Sequence, residues 1–419
     1  MQNLELKTHK IENLFFLQFL CASIIPLLVL GPFFPDLILS SLSIWFIYFT
    51  VKNKLYDKFN NIYFFIFIVF CFISIISSIL SENIYVSLKS SSFYFRIGIF
   101  ALLISFLIEQ DRKILNYFYY SFLATFSILV VDGYLQYFTG FNIVGYKLQG
   151  VRVSSFFKDE LILGSYLVRL LPLFLALFVI REKKNSIENY FFYLLFICIY
   201  LLIFLSGERT SFFFLNLFIL FQIIFLKRGK LIRMVVLFVS ITSVLTLSFN
   251  DSKYYDRFIL SPIKSIGFEK SLENRNWFTP EHDSLYKTAW NMFLDKPIIG
   301  HGPKMFRIKC SDRKYAEGMK PCDTHPHNFY IQLLAEMGLV GFIFLFSSFV
   351  YLISLILKHV YKKIIYNKLL FSDYQLCLLS GLLITLWPLS PNGSFFNNNL
   401  MIFYSLQIGF FPINKSKLF

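Results

Sequence analysis

Residues 324–342, THPHNFYIQLLAEMGLVGF, set two histidines, a proline and an asparagine directly before a long apolar run, in a chain with only six histidines. A neutral imidazole with a pKa near ambient pH can take a proton from a hydroxyl, which makes His327 a candidate general base. Proline is favoured at the first helical position, so a helix is expected to begin within His325-Pro326-His327-Asn328, with Asp323 or Thr324 helping to cap it. The free N–H groups at that end, and the positive end of the helix dipole, suit an anion. The plain alternative is an interfacial histidine that only caps and hydrates the helix.

Arginines supply the second signal. The stretch LSGERTSFFF (205–214) joins two apolar runs with almost no loop and puts Glu208 and Arg209 at an interface. Arg169 lies inside another apolar run, and Arg152 lies in a connecting segment. Charge in hydrocarbon is expensive and tends to mark a pathway or a site. A guanidinium matches phosphate oxygens bidentately, so three on one side of a membrane suggest a phosphorylated lipid head group. Each has a bland reading as well: Arg209 paired with Glu208, Arg169 as a structural contact, Arg152 as a solvated loop charge. Gln332 and Glu336, four residues apart, share one helix face and read as a polar contact between helices rather than as catalysis; Asn397, Asn398 and Asn399 read the same way.

The elements that must position these residues are membrane spans. Of the 419 residues, 56% are hydrophobic, 20% aromatic and only 16% charged, which is not a soluble domain's balance. Apolar windows predict twelve spans, near residues 14–30, 33–51, 62–80, 93–108, 115–135, 161–180, 190–205, 210–226, 234–249, 329–357, 374–389 and 395–411. They are uniformly apolar rather than alternating, so helices are expected, giving an all-α polytopic membrane protein. The first is read as a retained helix, because no small-residue cleavage site follows it.

Basic residues gather in every second connection: Lys7 and Lys10, Lys52 to Lys58, Arg112 and Lys113, Arg181 to Lys184, Lys227 to Arg233, Lys358 to Lys368, Lys415 and Lys417. The positive-inside rule then predicts both termini in the cytoplasm. The net charge of +15 is therefore mostly topology and gives no support to nucleic-acid binding. Two connections facing outward are long, 136–160 and 250–324. The chain divides accordingly into helices 1–9 (residues 1–249), an outer, partly helical loop (250–327) and helices 10–12 (328–419). Within the loop, SLYKTAWNMFL (284–294) is helix-compatible and DKPIIGHGP (295–303) breaks it. Cys310 and Cys322 share this loop and are expected to form a disulfide if the compartment is oxidising; free thiols or a metal site are the alternatives.

At this point the motifs resemble a known family. HNFYIQLLAEMGLVG fits the pattern His-Asn, nine residues, Gly, two residues, Gly, with His327, Asn328, Gly338 and Gly341 in register. That pattern resembles the one of the O-antigen ligase family, which is related to the O-antigen polymerases. SGERT is similar to that family's arginine-bearing turn, and AWNMFLDKPIIGHGPKMF (289–306) to its helix, proline and Gly-x-Gly motif, here Gly300 and Gly302. The resemblance runs from about residue 150 to 410. It implies a GT-C-like glycosyltransferase of the bacterial inner membrane with a periplasmic active site. Such an enzyme takes a glycan from undecaprenyl pyrophosphate and joins it to lipid A-core or another acceptor sugar, without a metal or other cofactor. By position, His327 becomes the base and Arg209 a pyrophosphate ligand, with Arg152, Arg169, His325 and Asn328 as further substrate contacts. One departure stands out: His282 precedes Tyr286 where the family usually has a basic residue, commonly arginine, so either His282 replaces it or Arg275 reaches the site. The alternatives are an O-antigen polymerase, against which Gly164 stands one residue too far from Arg152 for an Arg-x10-Gly motif, and a secondary transporter, whose usual similar halves are missing here.

Overall fold

The computed structural model of the chain describes residues 11, 13–181, 185–227, 229–250, 252–266 and 278–412. Arg275 lies outside the described residues, as do several of the basic residues that set the expected orientation. The described chain is helical: α1 Leu14–Leu30, α2 Phe33–Lys52, α3 Ile62–Ile79, α4 Ile84–Ser91, α5 Arg96–Gln110, α6 Lys113–Thr139, α7 Leu163–Ile180, α8 Ser186–Leu205, α9 Arg209–Phe225 and α10 Lys230–Asn250. Then come α11 Ser252–Tyr255, a π-helical turn Asp256–Leu260, α12 Ser261–Ile266, α13 Pro280–Asp295, α14 Phe306–Lys309, α15 Phe329–Tyr366, α16 Asp373–Thr385 and α17 Asn398–Phe410.

Each of the twelve apolar windows carries a helix. By length and composition, eight helical runs among the described residues are long and apolar enough to cross a membrane, α4 and α5 counting as one run, and α1, α9 and α16 are shorter apolar helices. Several boundaries differ from expectation. Helix begins at Ile84, before residue 93, because Asn83 caps α4 by accepting from the Val86 N–H. The window ending at 389 stops at Thr385, and the last helix starts at Asn398. Between them Pro388 and Pro391 in WPLSPNGS force an irregular loop.

Another difference concerns the histidines. Helix α15 begins at Phe329 and not within residues 325–328; its cap is Asn328, whose side chain accepts from the Tyr330 and Ile331 N–H groups. Neither Asp323 nor Thr324 caps it. A side-chain oxygen that satisfies two orphan donors outcompetes the weaker preference of proline for the first turn. Pro326 and His327 therefore lie in the loop that enters the helix.

Helix α7 is the central post. Of its best apolar window 83% is buried, against 22% for α10 and α15, so α7 packs among other helices while α10 and α15 form the periphery. The basic-rich connections meet at one end, where Gln18 donates to the Asp111 carbonyl at 2.9 Å and the Lys227 N–H to Asp373 at 3.3 Å. The other connections meet at the opposite end: Val153 N–H bonds the Leu205 carbonyl at 3.1 Å and Tyr254 the Val151 carbonyl at 2.8 Å.

Candidate active site

The motif glycines build the scaffold. Helix α15 opens at Gly338 (φ 61°, ψ −156°), which frees backbone groups from their intrahelical partners. The 297–302 loop satisfies them. Leu339 and Val340 donate to the Pro297 and Ile298 carbonyls at 2.8 and 3.3 Å, while His301 and Gly302 donate to the Ala335 and Glu336 carbonyls at 3.1 and 2.8 Å. A Cβ on Gly300 would stand 2.3 Å from the Glu336 carbonyl carbon, and one on Gly338 2.4 Å from that of Ile298. Only glycine permits this backbone contact at both positions. Glu336, fully buried, adds its carboxylate, accepting from the Phe306 N–H at 3.2 Å and from Gln332 at 2.9 Å. Gln332 in turn bonds Ser394 and the Phe395 N–H.

Helix α13 lies on α15 through a small cluster that includes Leu285, Ala289, Met292, Phe306, Cys310 and Ala335. Cys310 and Cys322 are joined by a disulfide, with Cα atoms 4.9 Å apart, which ties the end of α14 to the segment that leads into His327. Packing α13 here brings His282 onto His327: the two rings are parallel within 7° with centroids 5.6 Å apart. On its other contact, His327 meets the His325 ring at 4.2 Å. His327 Nε2 lies 3.4 Å from an Asp323 oxygen, and its side chain remains 33% exposed, open enough for a substrate to reach. Burial, followed by the neighbouring charge of His327, depresses His282 and pushes His325 down to about 4. Two of the three imidazoles are therefore held neutral around the most accessible one.

Arginines stand beside this row. Arg209, the first residue of α9, is exposed and makes no ion pair among the described residues; its neighbour Glu208 instead caps α7, accepting from the Gly164 and Ser165 N–H groups at 2.6 and 3.0 Å and from Ser211 at 2.9 Å. Arg152 is not a free loop charge: it donates to the Ser206 and Leu161 carbonyls, both at 3.2 Å. Arg257, which the sequence reading passed over, sits on the π-helical turn and donates to the Gly207 carbonyl at 2.6 Å. Arg152 and Arg257 pack against one glycine: a Cβ on Gly207 would meet Arg257 Nε at 2.8 Å and Arg152 Cγ at 2.9 Å. Burial first, then the other nearby arginines, depress the guanidiniums of Arg152 and Arg257; Arg209 is also among the charges that depress His282.

The remaining candidates fall differently. Asn328 is committed to the helix cap and to the Pro388 and Ser390 carbonyls, at 2.8 and 3.4 Å, so its side chain holds loop rather than substrate. Arg169 is 3% exposed and bonds Ser165 and Asn392 within the protein. His301 is buried against the Met292 carbonyl at 3.0 Å. Among the described residues no group of three or more His, Cys, Asp and Glu is arranged to hold a metal. An apolar cleft lined by Leu175, Phe192, Phe196, Ile219 and Val236 shares no lining residue with the imidazole row.

The architecture and the site together define a polytopic, all-helical membrane protein with an imidazole cluster flanked by guanidiniums at the end opposite its basic connections. Residues 194–346 match the family model described as O-antigen ligase, so this stretch of the chain is similar to that family. The match is narrower than the span of about 150 to 410 that the motifs suggested; it contains Arg209, Arg257, His282, His325 and His327 and leaves out Arg152, Arg169 and Asn392. A comparison with curated proteins finds no match. The family indicates a glycosyltransferase-like enzyme acting on a lipid-linked glycan and an acceptor sugar.

Proposed function

We propose that the chain transfers a glycan from undecaprenyl pyrophosphate to a hydroxyl of an acceptor sugar, lipid A-core or another glycan, on the outer face of the bacterial inner membrane, with both termini in the cytoplasm. The observation that carries the reading is the contact of His327 with Asp323 and His282, within electrostatic reach of the arginine turn. Asp323 on Nε2 leaves Nδ1 to receive the acceptor proton, the arrangement by which a carboxylate orients a histidine base. The acceptor oxygen then attacks the anomeric carbon, the bond from that carbon to the phosphate oxygen breaks, and the diphosphate leaves on the carrier lipid. Arg209, Arg152 and Arg257 hold the charge that develops on it. The donor already has a good leaving group, so positioning, one base and fixed cations are enough, and the reading assigns no step to a metal.

The test is reconstitution of the purified chain in vesicles with lipid-linked glycan and acceptor, without ATP or added metal. Product is expected from the wild type, and His327→Ala should lower kcat by about 10³-fold, within the range of general-base catalysis. Solute flux without product, or full turnover in the variant, overturns the proposal.

A further inference from the structure

We propose that Arg169 is a positioning residue for His327, acting through Asn392, and not a ligand of the pyrophosphate. This inference rests on the proposed transfer reaction for its kinetic test but on geometry for its argument. The backbone carbonyl of His327 accepts a 2.6 Å hydrogen bond from the Asn392 N–H. The Asn392 side-chain oxygen accepts from Arg169 Nη2 at 2.8 Å. Arg169 is fixed from the central helix outward: its Nε donates to Ser165 at 3.1 Å, its backbone carbonyl accepts from Gln407 at 2.8 Å, and its guanidinium lies 5.6 Å from the centre of the Phe214 ring. Three helices thus hold one residue whose outer end holds one loop, and that loop holds the base.

His327 needs such a hold. Its φ of 58° is left-handed, a conformation that costs a residue with a side chain about 1–2 kcal/mol. The same region takes the Asn328 side chain on the Pro388 and Ser390 carbonyls and the Tyr330 hydroxyl on the Leu386 carbonyl at 2.6 Å, so the bend is pinned at His327 and directly after it. Arg169 is also an expensive way to gain stability alone. Its Nη1 is buried without a hydrogen-bond partner among the described residues, and a buried charge left partly unsatisfied is a net burden unless it fixes something else. At 3% exposure its guanidinium is turned inward, whereas Arg209 is exposed.

The test compares Arg169→Gln, Asn392→Ala and their double variant with Arg209→Gln, each as the full chain in vesicles. Arg169→Gln and Asn392→Ala should each lower kcat at least about 10-fold while the KM for undecaprenyl-pyrophosphate glycan stays within about 2-fold. The double variant should be no slower than the slower single one, because both break the same chain. Arg169→Lys, which keeps a donor, should recover part of the loss. The second readout needs no turnover: the rate at which diethyl pyrocarbonate modifies His327, followed by peptide mass, should rise at least about 3-fold in Arg169→Gln and Asn392→Ala and stay unchanged in Arg209→Gln. A raised donor KM with kcat kept, multiplicative losses, or an unchanged modification rate overturns the positioning role. If the wild type makes no product, the transfer reading fails, and the modification rate alone still decides this one. Should Arg169→Gln not fold, Asn392→Ala carries both measurements.

Discussion

Glu208 and Glu336 occupy opposite flanks of the imidazole row and do the same job with different company. Each sits beside basic residues, yet neither forms an ion pair with them among the described residues. Glu208 spends its oxygens on the N-terminus of α7 and Glu336 on the loop entering α14, so each carboxylate organises backbone and leaves the nearby cations unneutralised. The difference lies in those cations. Around Glu208 stand Arg152, Arg209 and Arg257, with two of the three anchored to carbonyls of the arginine turn at 206–207. Around Glu336 stand Lys304, half-exposed in the loop entering α14, and Arg307, exposed on α14, neither with a side-chain hydrogen bond or ion pair among the described residues. Donors anchored in place hold a diphosphate; loosely held charges mainly attract it from a distance.

The sharpest way to break this comparison is to remove two charges from each flank. Arg209→Gln with Arg257→Gln should lower kcat/KM at least about 100-fold, in line with the loss of fixed electrostatic donors. Lys304→Gln with Arg307→Gln should cost less than about 3-fold, and that small loss should vanish at high salt. Steady-state kinetics at low and high ionic strength decide it; equal losses on both sides would mean that the arginine turn has no special part in binding the leaving group.

A smaller effect separates the two clamps themselves. Gly338→Ala introduces a Cβ 2.4 Å from the Ile298 carbonyl carbon at a φ of 61°, so both the clash and the backbone strain act together. It should destabilise the protein by more than about 3 kcal/mol. Glu336→Gln, which keeps the size and one acceptor oxygen, should cost about 1 kcal/mol. Glu208→Gln should cost a similar amount. The apparent melting temperature of the detergent-solubilised chain ranks the three, and a Gly338→Ala protein as stable as the wild type would contradict the backbone contact described between the 297–302 loop and α15.

These particulars show how far the sequence reaches. That the apolar windows form helices was legible, since an uninterrupted apolar window has few alternatives in a membrane, while only eight helical runs among the described residues are long and apolar enough to cross one. His327 and Arg209 were legible because polar residues at the edge of apolar runs are conspicuous. The helix cap at Asn328 was not legible: the proline two residues earlier gave a visible helix-start signal, while the cap depends on φ and ψ at one asparagine. Arg257 carried no local signal, being one basic residue in a long loop, and it reaches the turn from the π-helical segment that follows α11. Asn392 and Arg169 are 223 residues apart, and no periodicity reports a contact across that distance. The Pro-Leu-Ser-Pro-Asn-Gly stretch did mark an irregular loop between two apolar runs, and that was the available clue to Asn392. The Gly-x-Gly and Gly-x-x-Gly motifs were visible as motifs, but the reason for Gly300 and Gly338, two backbones in contact, is purely tertiary.

The last expected effect concerns the imidazole row and acidity. His325 is held at about 4, by burial first and then by the charges of His327 and Arg307, whereas in the unfolded chain it titrates near 6.5. Facing the row are also Asp323, Lys320 and Glu281, of which Asp323 bonds the Thr324 N–H at 2.6 Å. Between about pH 6.5 and pH 4 the unfolded state binds a proton at this position that the folded state refuses, so stability rises with pH across the window and is lost as the solution is acidified. The full difference corresponds to about 3 kcal/mol as an upper bound, reached near pH 4. His325→Asn removes the titration while keeping a polar side chain of similar reach to Thr324. The variant's melting temperature should therefore fall less than the wild type's on going from pH 7 to pH 4.5, with the two curves converging above pH 7. Parallel curves would mean that His325 is free to protonate in the folded protein, and the row would then carry more charge beside His327 than its geometry allows.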